Sequence, residues 1–111
     1  FVFSFFRLLV FVQDQRHNEG VASPFFGRPA LTSRGFGVLA ARTKAPLFGA
    51  TQWRDERGQH HIRIEPLDID IPASEDEAVS VLTDASQRFY EQTIKIRPHS
   101  WLWLHDRWRS H

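Results

Sequence analysis

Ten of the first twelve residues, Phe1 to Val12, are apolar, broken only by Ser4 and Arg7. A run this dense in Phe, Val and Leu, followed by polar Gln13-Asp14-Gln15, predicts a buried strand over residues 5–13. A bilayer-crossing helix needs roughly 20 apolar residues, so the run is too short for one. It also lacks the basic leader and small-residue cleavage site of a signal peptide. Residues 14–32 hold Gly20, Pro24, Gly27 and Pro29 and read as a long ordered loop, a feature uncommon without a function. Ser33 is placed to cap a helix over residues 34–43, in which Gly35 and Gly37 each cost up to ~1 kcal/mol and imply close packing of helix on sheet. Pro46 ends that helix. Residues 46–53 and 59–65 then read as two strands joined by the polar turn Asp55-Glu56-Arg57-Gly58. An acidic extended stretch, Pro66 to Ala73, leads to Ser74-Glu75-Asp76-Glu77, a capping-box sequence with three carboxylates on the positive end of a helix dipole. Ala78, Leu82, Ala85, Phe89 and Ile96 recur at helical spacing, which predicts a helix over 75–97 closed by Pro98. An aromatic segment from Trp101 to Trp108 follows. Alternating strands and helices make an α/β chain.

Composition sharpens this picture. The chain has 111 residues, 41% of them hydrophobic and 24% charged, which excludes disordered and collagenous classes and fits one small domain or a piece of a larger one. Cysteine is absent, so disulfides, thiolate metal sites and a cysteine nucleophile are excluded together. Methionine is absent as well, and a chain that opens inside an apolar run reads as a segment of a longer one. The net charge of +1 hides a strong asymmetry: residues 1–54 carry seven basic and two acidic side chains, residues 55–87 two and nine, residues 88–111 five and two. Arg dominates the cations and favours planar contacts with carboxylate or phosphate. Either these charges form local ion pairs on a solvated surface, or the basic face meets an anionic lipid or phosphorylated substrate.

Few residues pair into chemistry. His60 and Glu65 have the His-x4-Glu spacing of a general base and its orienting carboxylate, but residues five apart on a strand point to opposite faces. The pair is rejected on that ground, and His60-His61 fails as a metal site because adjacent strand residues diverge and no third ligand is evident. His17, near Asp14 and Glu19, reads as a solvated loop histidine. There is no Gly-x-Ser-x-Gly elbow and no phosphate-binding loop, and no cofactor is implied.

Two segments resemble one family. Asp14-Gln15, Gly20-Val21 and Pro24-Phe25-Phe26-Gly27-Arg28-Pro29-Ala30 look like the central block of the bacterial lipid A biosynthesis (lauroyl/myristoyl) acyltransferases. Thr32, the helix ending Leu39-Ala40-Ala41-Arg42-Thr43, Ala45-Pro46, Arg54 and Gly58 follow in the family's order. Pro98-His99-Ser100-Trp101-Leu102-Trp103-Leu104-His105-Asp106-Arg107-Trp108 is similar to its closing Pro-x-x-Trp-x-Trp-x-His-x-Arg-Trp signature. The likeness runs from about residue 8 to 109. It departs in two places: the family's catalytic His-x4-Asp/Glu lies upstream of this region, and Phe1 to Phe6 align with nothing in the family.

The resemblance implies a partial glycerol-phosphate-acyltransferase-like mixed sheet flanked by helices, with residues 1–111 forming the C-terminal part of a single acyltransferase domain. It implies an enzyme at the cytoplasmic face of the inner membrane that moves a fatty acyl group from an acyl carrier protein thioester to a hydroxyacyl chain of a lipid A precursor. Without the histidine base, the 111 residues alone are expected to be inactive. Asp14 matches an acidic position of the central block and is the catalytic-site candidate, with pairing to Arg16 or capping as its alternative role. Phe25, Phe26 and Gly27 are candidates for the acyl pocket, core packing being the alternative for the two rings. Arg28, Arg42 and Arg54 are candidates for the anionic head group. Trp101, Trp103 and Trp108 would anchor the end of the chain against the domain or at a bilayer interface. The competing class is a non-catalytic module binding anionic lipid or single-stranded nucleic acid through Arg and Phe. The acidic middle section argues against nucleic acid as a partner.

Overall fold

The structure, a computed structural model, describes residues 8–13, 16–100 and 107–108. It is a mixed α/β arrangement of two small antiparallel sheets and two helices. A first hairpin pairs β1 (Val21–Phe25) with β2 (Arg28–Thr32), α1 (Gly35–Thr43) follows, and a second hairpin pairs β3 (Leu47–Arg54) with β4 (His60–Leu67). The long helix α2 (Glu75–Ile96) and a 3-10 turn, Pro98–Ser100, complete it.

The second hairpin and both helices lie where the sequence pattern puts them, to within two residues at each end. The 14–32 loop does not: its second half is the first hairpin. Phe26 and Gly27 form a two-residue turn with φ of 51° and 78°, the positive values a type I′ turn requires. In such a hairpin the closing pair, Phe25↔Arg28, exchanges both hydrogen bonds, so the next pair exchanges none. That next pair is Pro24↔Pro29, where missing N–H groups cost nothing. The prolines that suggested a loop therefore occupy strand positions. The strand expected over 5–13 is a second correction, because residues 8–13 have no strand structure. Gln13 instead bonds to side chains and loop backbone: its N–H to the Tyr90 hydroxyl at 3.2 Å, its carbonyl to Gln87 Nε2 at 2.6 Å and its side chain to the Ser33 carbonyl at 3.4 Å.

α2 is the spine. Ala78 and Leu82 pack against Ala40 of α1, with Phe36, Leu47 and Ile69 around them. A Cβ built at Gly37 would stand 2.9 Å from Val79 Cα, so the small residue serves a helix–helix contact rather than the helix–sheet contact expected. Further along α2, Ile94 packs with Phe25 and Ala30 of the first hairpin. Ile96 is exposed, contrary to the helical spacing, while Thr83, Ser86 and Gln87 are buried. The capping box also stays open, as Ser74 sits at the N-cap with no side-chain cap bond. Its acidic neighbours instead face α1: Glu75 pairs with Arg42 at 2.7 Å and Asp76 with Arg34 at 3.7 Å. Part of the basic–acidic asymmetry thus resolves into local ion pairs.

Candidate functional site

β3 runs along α2 in the same direction: Leu47 packs near Leu82, Gly49 lies on Phe89, and Trp53 stacks under Arg97, whose guanidinium carbon is 3.7 Å from the ring centroid. Between this hairpin, one turn of α2 and residues 8–13 opens a cleft of about 400 Å³. That volume lies in the range of roughly 300–1,000 Å³ common for small-molecule sites. Its walls are apolar: Leu8 to Val12, Phe36, Leu47, Phe48 and Ile64, over a floor that includes Phe89. Among the described residues, polar side chains enter only through Gln13, Ser86 and Tyr90. Gln13 is fixed there by its bonds to Tyr90 and Gln87, and it directly precedes Asp14 in the sequence. Asp14 itself lies outside the described residues.

The structure places the other candidates away from the cleft wall. Phe25 is fully buried, its ring 5.5 Å from that of Trp108 and 4.9 Å from that of Phe26. Phe26 holds the turn, where its N–H donates to Glu91 Oε1 at 2.7 Å. Gly27 is the tip, with open space where a Cβ would project. Arg28 lies over Trp108, 5.2 Å from the ring centroid. Arg42 is held by Glu75, a hydrogen bond that raises the Arg42 pKa and lowers that of Glu75. Arg54 ends β3, its guanidinium close to Gly58.

These three arginines do not converge. The first hairpin is tied to Glu91 and Arg42 to Glu75, positions 16 residues apart (91 minus 75) on α2, a separation of about 24 Å along a helix. His60 and Glu65 both sit on β4, five residues apart, with different partners: His60 contacts Gln52 at 3.4 Å and Glu65 pairs with Arg63 at 3.1 Å.

Several contacts matter that the sequence pattern did not foresee. His61 Nε2 donates to Asp55 Oδ2 at 2.7 Å, and its ring stacks on Trp53 with centroids 5.4 Å apart. That hydrogen bond, followed by the Gln59 and Arg57 backbone donors, holds the Asp55 carboxyl below its ordinary range. Ser23, fully buried, donates to Asp84 at 2.6 Å. Arg107 and Trp108, both in the closing signature, lock the first hairpin down: Arg107 donates to the Leu31 carbonyl and to Thr32 and Gln87, and Trp108 Nε1 donates to the Phe25 carbonyl at 2.9 Å. For Trp108, the anchoring is therefore against the domain. Trp101 and Trp103 lie outside the described residues. No helix among the described residues is long and apolar enough to cross a membrane.

A mixed α/β fold with an apolar cleft and a narrow polar edge suits a protein that handles an apolar chain. The chain belongs to the bacterial lipid A biosynthesis acyltransferase family, whose sequence model matches residues 7–110, nearly its full length. No curated protein matches it. By family it is a transferase of acyl groups in lipid A biosynthesis.

Proposed function

We propose that this chain holds the substrates for transfer of a fatty acyl group from an acyl carrier protein thioester to a hydroxyl on an acyl chain of a lipid A precursor, at the cytoplasmic face of the inner membrane, with the general base supplied from outside these 111 residues. The observation that carries the reading is the apolar cleft, matched to a fatty acyl chain in chemistry and size, in a chain of this family. The acyl chain lies against Leu47, Phe48 and Phe89, with its polar end toward Gln13. A general base removes the acceptor's proton, the oxygen attacks the thioester carbonyl, and collapse of the tetrahedral oxyanion releases the carrier thiol. Arg28 and Arg54 contact the anionic head group. The fold is of the glycerol-phosphate-acyltransferase type, although the mixed sheet expected from the sequence is replaced here by two separate antiparallel hairpins.

The 111 residues bind substrate without turnover. Their one His-x4-Glu spacing, His60 to Glu65, falls on a single strand, and a positioned base typically contributes ~10²–10⁴-fold. The test supplies the purified chain with dodecanoyl or tetradecanoyl acyl carrier protein and a lipid A precursor, and follows binding by calorimetry and product by mass spectrometry. Saturable binding without product is expected. Product at the rate of a complete enzyme would overturn the proposed inactivity, and absence of binding to either substrate would overturn the acyl-transfer reading.

A further inference from the structure

We infer that the outer face of the second hairpin docks on an anionic phospholipid bilayer and opens the cleft directly to it. The inference rests on the reading of the cleft as an acyl-chain site and goes beyond it by naming the surface and its partner. α2 packs against one face of the hairpin, at Gly49 and Trp53. Side chains alternate along a strand, so the opposite face carries the intervening positions. In register these are Phe48↔Pro66, Ala50↔Ile64 and Gln52↔Ile62, followed next to the turn by Arg54↔His60. All are exposed, Phe48, Ile62 and Ile64 by 58%, 66% and 65%. Phe48, Ala50 and Ile64 also line the cleft, as do the exposed Leu8, Leu9 and Val10.

Large apolar side chains grouped in water mark a surface that meets something else. The charge of this one says what. None of the side chains in those four pairs is acidic, and the cation Arg54 lies at the polar end. In the adjoining turn Asp55 is bonded to His61, on the other face, and the exposed Glu56 and Arg57 offset each other. A second copy of the chain fits poorly. Stacked face to face with strands parallel, two copies bring their Arg54–His60 ends together. With strands antiparallel, each Arg54 meets the Phe48–Pro66 end of the other copy and loses water without an anion to pair with. A bilayer carrying anionic lipid suits both ends at once: Phe48, Ile62 and Ile64 reach the boundary between headgroups and acyl chains, and Arg54 lies at the phosphates. A two-stranded sheet cannot sink into hydrocarbon, where its edges would go unsatisfied, so the hairpin lies flat on the surface. An acyl chain then passes from the bilayer past Phe48 and Ile64 into the cleft without crossing water.

The experiment measures flotation of the 111-residue chain with vesicles of phosphatidylcholine, with and without phosphatidylglycerol. Precursor and carrier protein are left out, so that flotation reads the surface alone. The wild-type chain is expected to float with the mixed vesicles and to be released by salt. Ile62 is exposed and outside the cleft lining, and Ile62→Glu should weaken binding about tenfold, roughly the value of one isoleucine removed from water. Arg54→Gln should weaken it about fivefold, on the mixed vesicles alone. Ile96→Glu, which alters an equally exposed isoleucine on α2, should change nothing. Ile62→Asn carries the test if the glutamate variant fails to fold by circular dichroism. A folded Ile62 variant that floats like wild type would overturn the inference, as would an equal loss in Ile96→Glu or a wild-type chain that binds neither kind of vesicle. Equal flotation of the wild type with both kinds would overturn the assignment to an anionic surface. A wild-type dimer that Ile62→Glu dissociates, with flotation unchanged, would assign the face to a second copy instead. Failure to bind precursor and carrier protein in calorimetry, with flotation intact, would overturn the acyl-transfer reading but not the docking face.

Discussion

Arg107 donates to Gln87 Oε1 at 2.9 Å, joining the last described residues of the chain to the middle of α2 inside the protein. The same guanidinium reaches the Leu31 carbonyl at 2.7 Å and lies 5.6 Å from the centre of the Phe25 ring, so one side chain ties the first hairpin to the helix. Hydrogen bonds to charged groups contribute about 1.5–3 kcal/mol each, and deleting one partner strands the others. Arg107→Ala is expected to lower stability by about 2–4 kcal/mol, read as a fall in the urea midpoint. Arg107→Lys should recover only part of the loss, because an ammonium cannot reproduce the planar fork. A midpoint unchanged in the alanine variant would show that this lock contributes nothing.

The turn at the other end of that hairpin depends on a carboxylate. Phe26 adopts φ of 51°, a left-handed conformation that costs a non-glycine residue about 1–2 kcal/mol, and its N–H is held by Glu91. Glu91→Ala is expected to destabilise the protein by about 1–2 kcal/mol and to speed amide hydrogen exchange selectively in β1 and β2. Glu91→Gln keeps an acceptor but loses its charge, and should fall between the two. Uniform exchange across the whole chain in Glu91→Ala would argue against a local role.

How far the fold can be read from sequence depends on which signal each element carries. β3, β4 and α2 combine apolar patterning with a strong turn or an acidic start, and they fall close to their expected bounds. β1 and β2 were concealed because Pro24 and Pro29 occupy the ladder position where no N–H is needed, and because nothing local requires Phe26 to turn left-handed. At α2 the helical spacing found Ala78 and Leu82 but passed over Gln87, whose burial follows from partners 74 residues earlier at Gln13 and 20 residues later at Arg107. The cleft was illegible for a similar reason. Residues 8–13, α1, the second hairpin and α2, distant from one another in sequence, line it, and only Gly49, an isolated glycine in a strand, hinted at the approach of Phe89. The aromatic Phe25 read equally well as pocket or core, and lies in the core.

Asp55 makes the second hairpin sensitive to acid. Its carboxylate accepts from His61 Nε2 and from the backbone N–H groups of Gln59 and Arg57, which depresses its pKa in the folded state. A depressed carboxyl pKa contributes stability that is fully present above the unfolded value of about 4 and is lost as pH falls through the folded value. Thermal midpoints measured from pH 7 to pH 2 should therefore drop below about pH 4. In Asp55→Asn the part of that drop due to this turn should vanish, while the midpoint at pH 7 falls to meet it. Glu75, depressed by Arg42, titrates with the same sign, so Arg42→Ala supplies the control that separates the two contributions. An acid limb identical in wild type and Asp55→Asn would exclude the mechanism.

The head-group arginines should separate in the same way that they separate in space. Arg42 is committed to Glu75 through Nε at 2.7 Å and Nη2 at 3.5 Å, at the start of α2. Arg28 rests on Trp108 beside the open tip at Gly27, toward the other end of the helix, where Arg97 also stacks on Trp53 next to Arg54. A phosphate approaching that end meets Arg28 and Arg54, which, unlike Arg42, form no ion pair with a carboxylate among the described residues. Binding of a bis-phosphorylated lipid A precursor, measured by calorimetry at low salt, should weaken about tenfold in Arg28→Ala or Arg54→Ala, a change of about 1.4 kcal/mol. Arg42→Ala should change it less than threefold and lower stability slightly instead, as expected for an exposed ion pair. Raising the salt should erode the wild-type affinity more steeply than that of the Arg28 and Arg54 variants, because each removed cation removes a screened contact. If Arg42→Ala proves the most damaging of the three, the head group lies at the start of α2 and the proposed orientation of the precursor must be reversed.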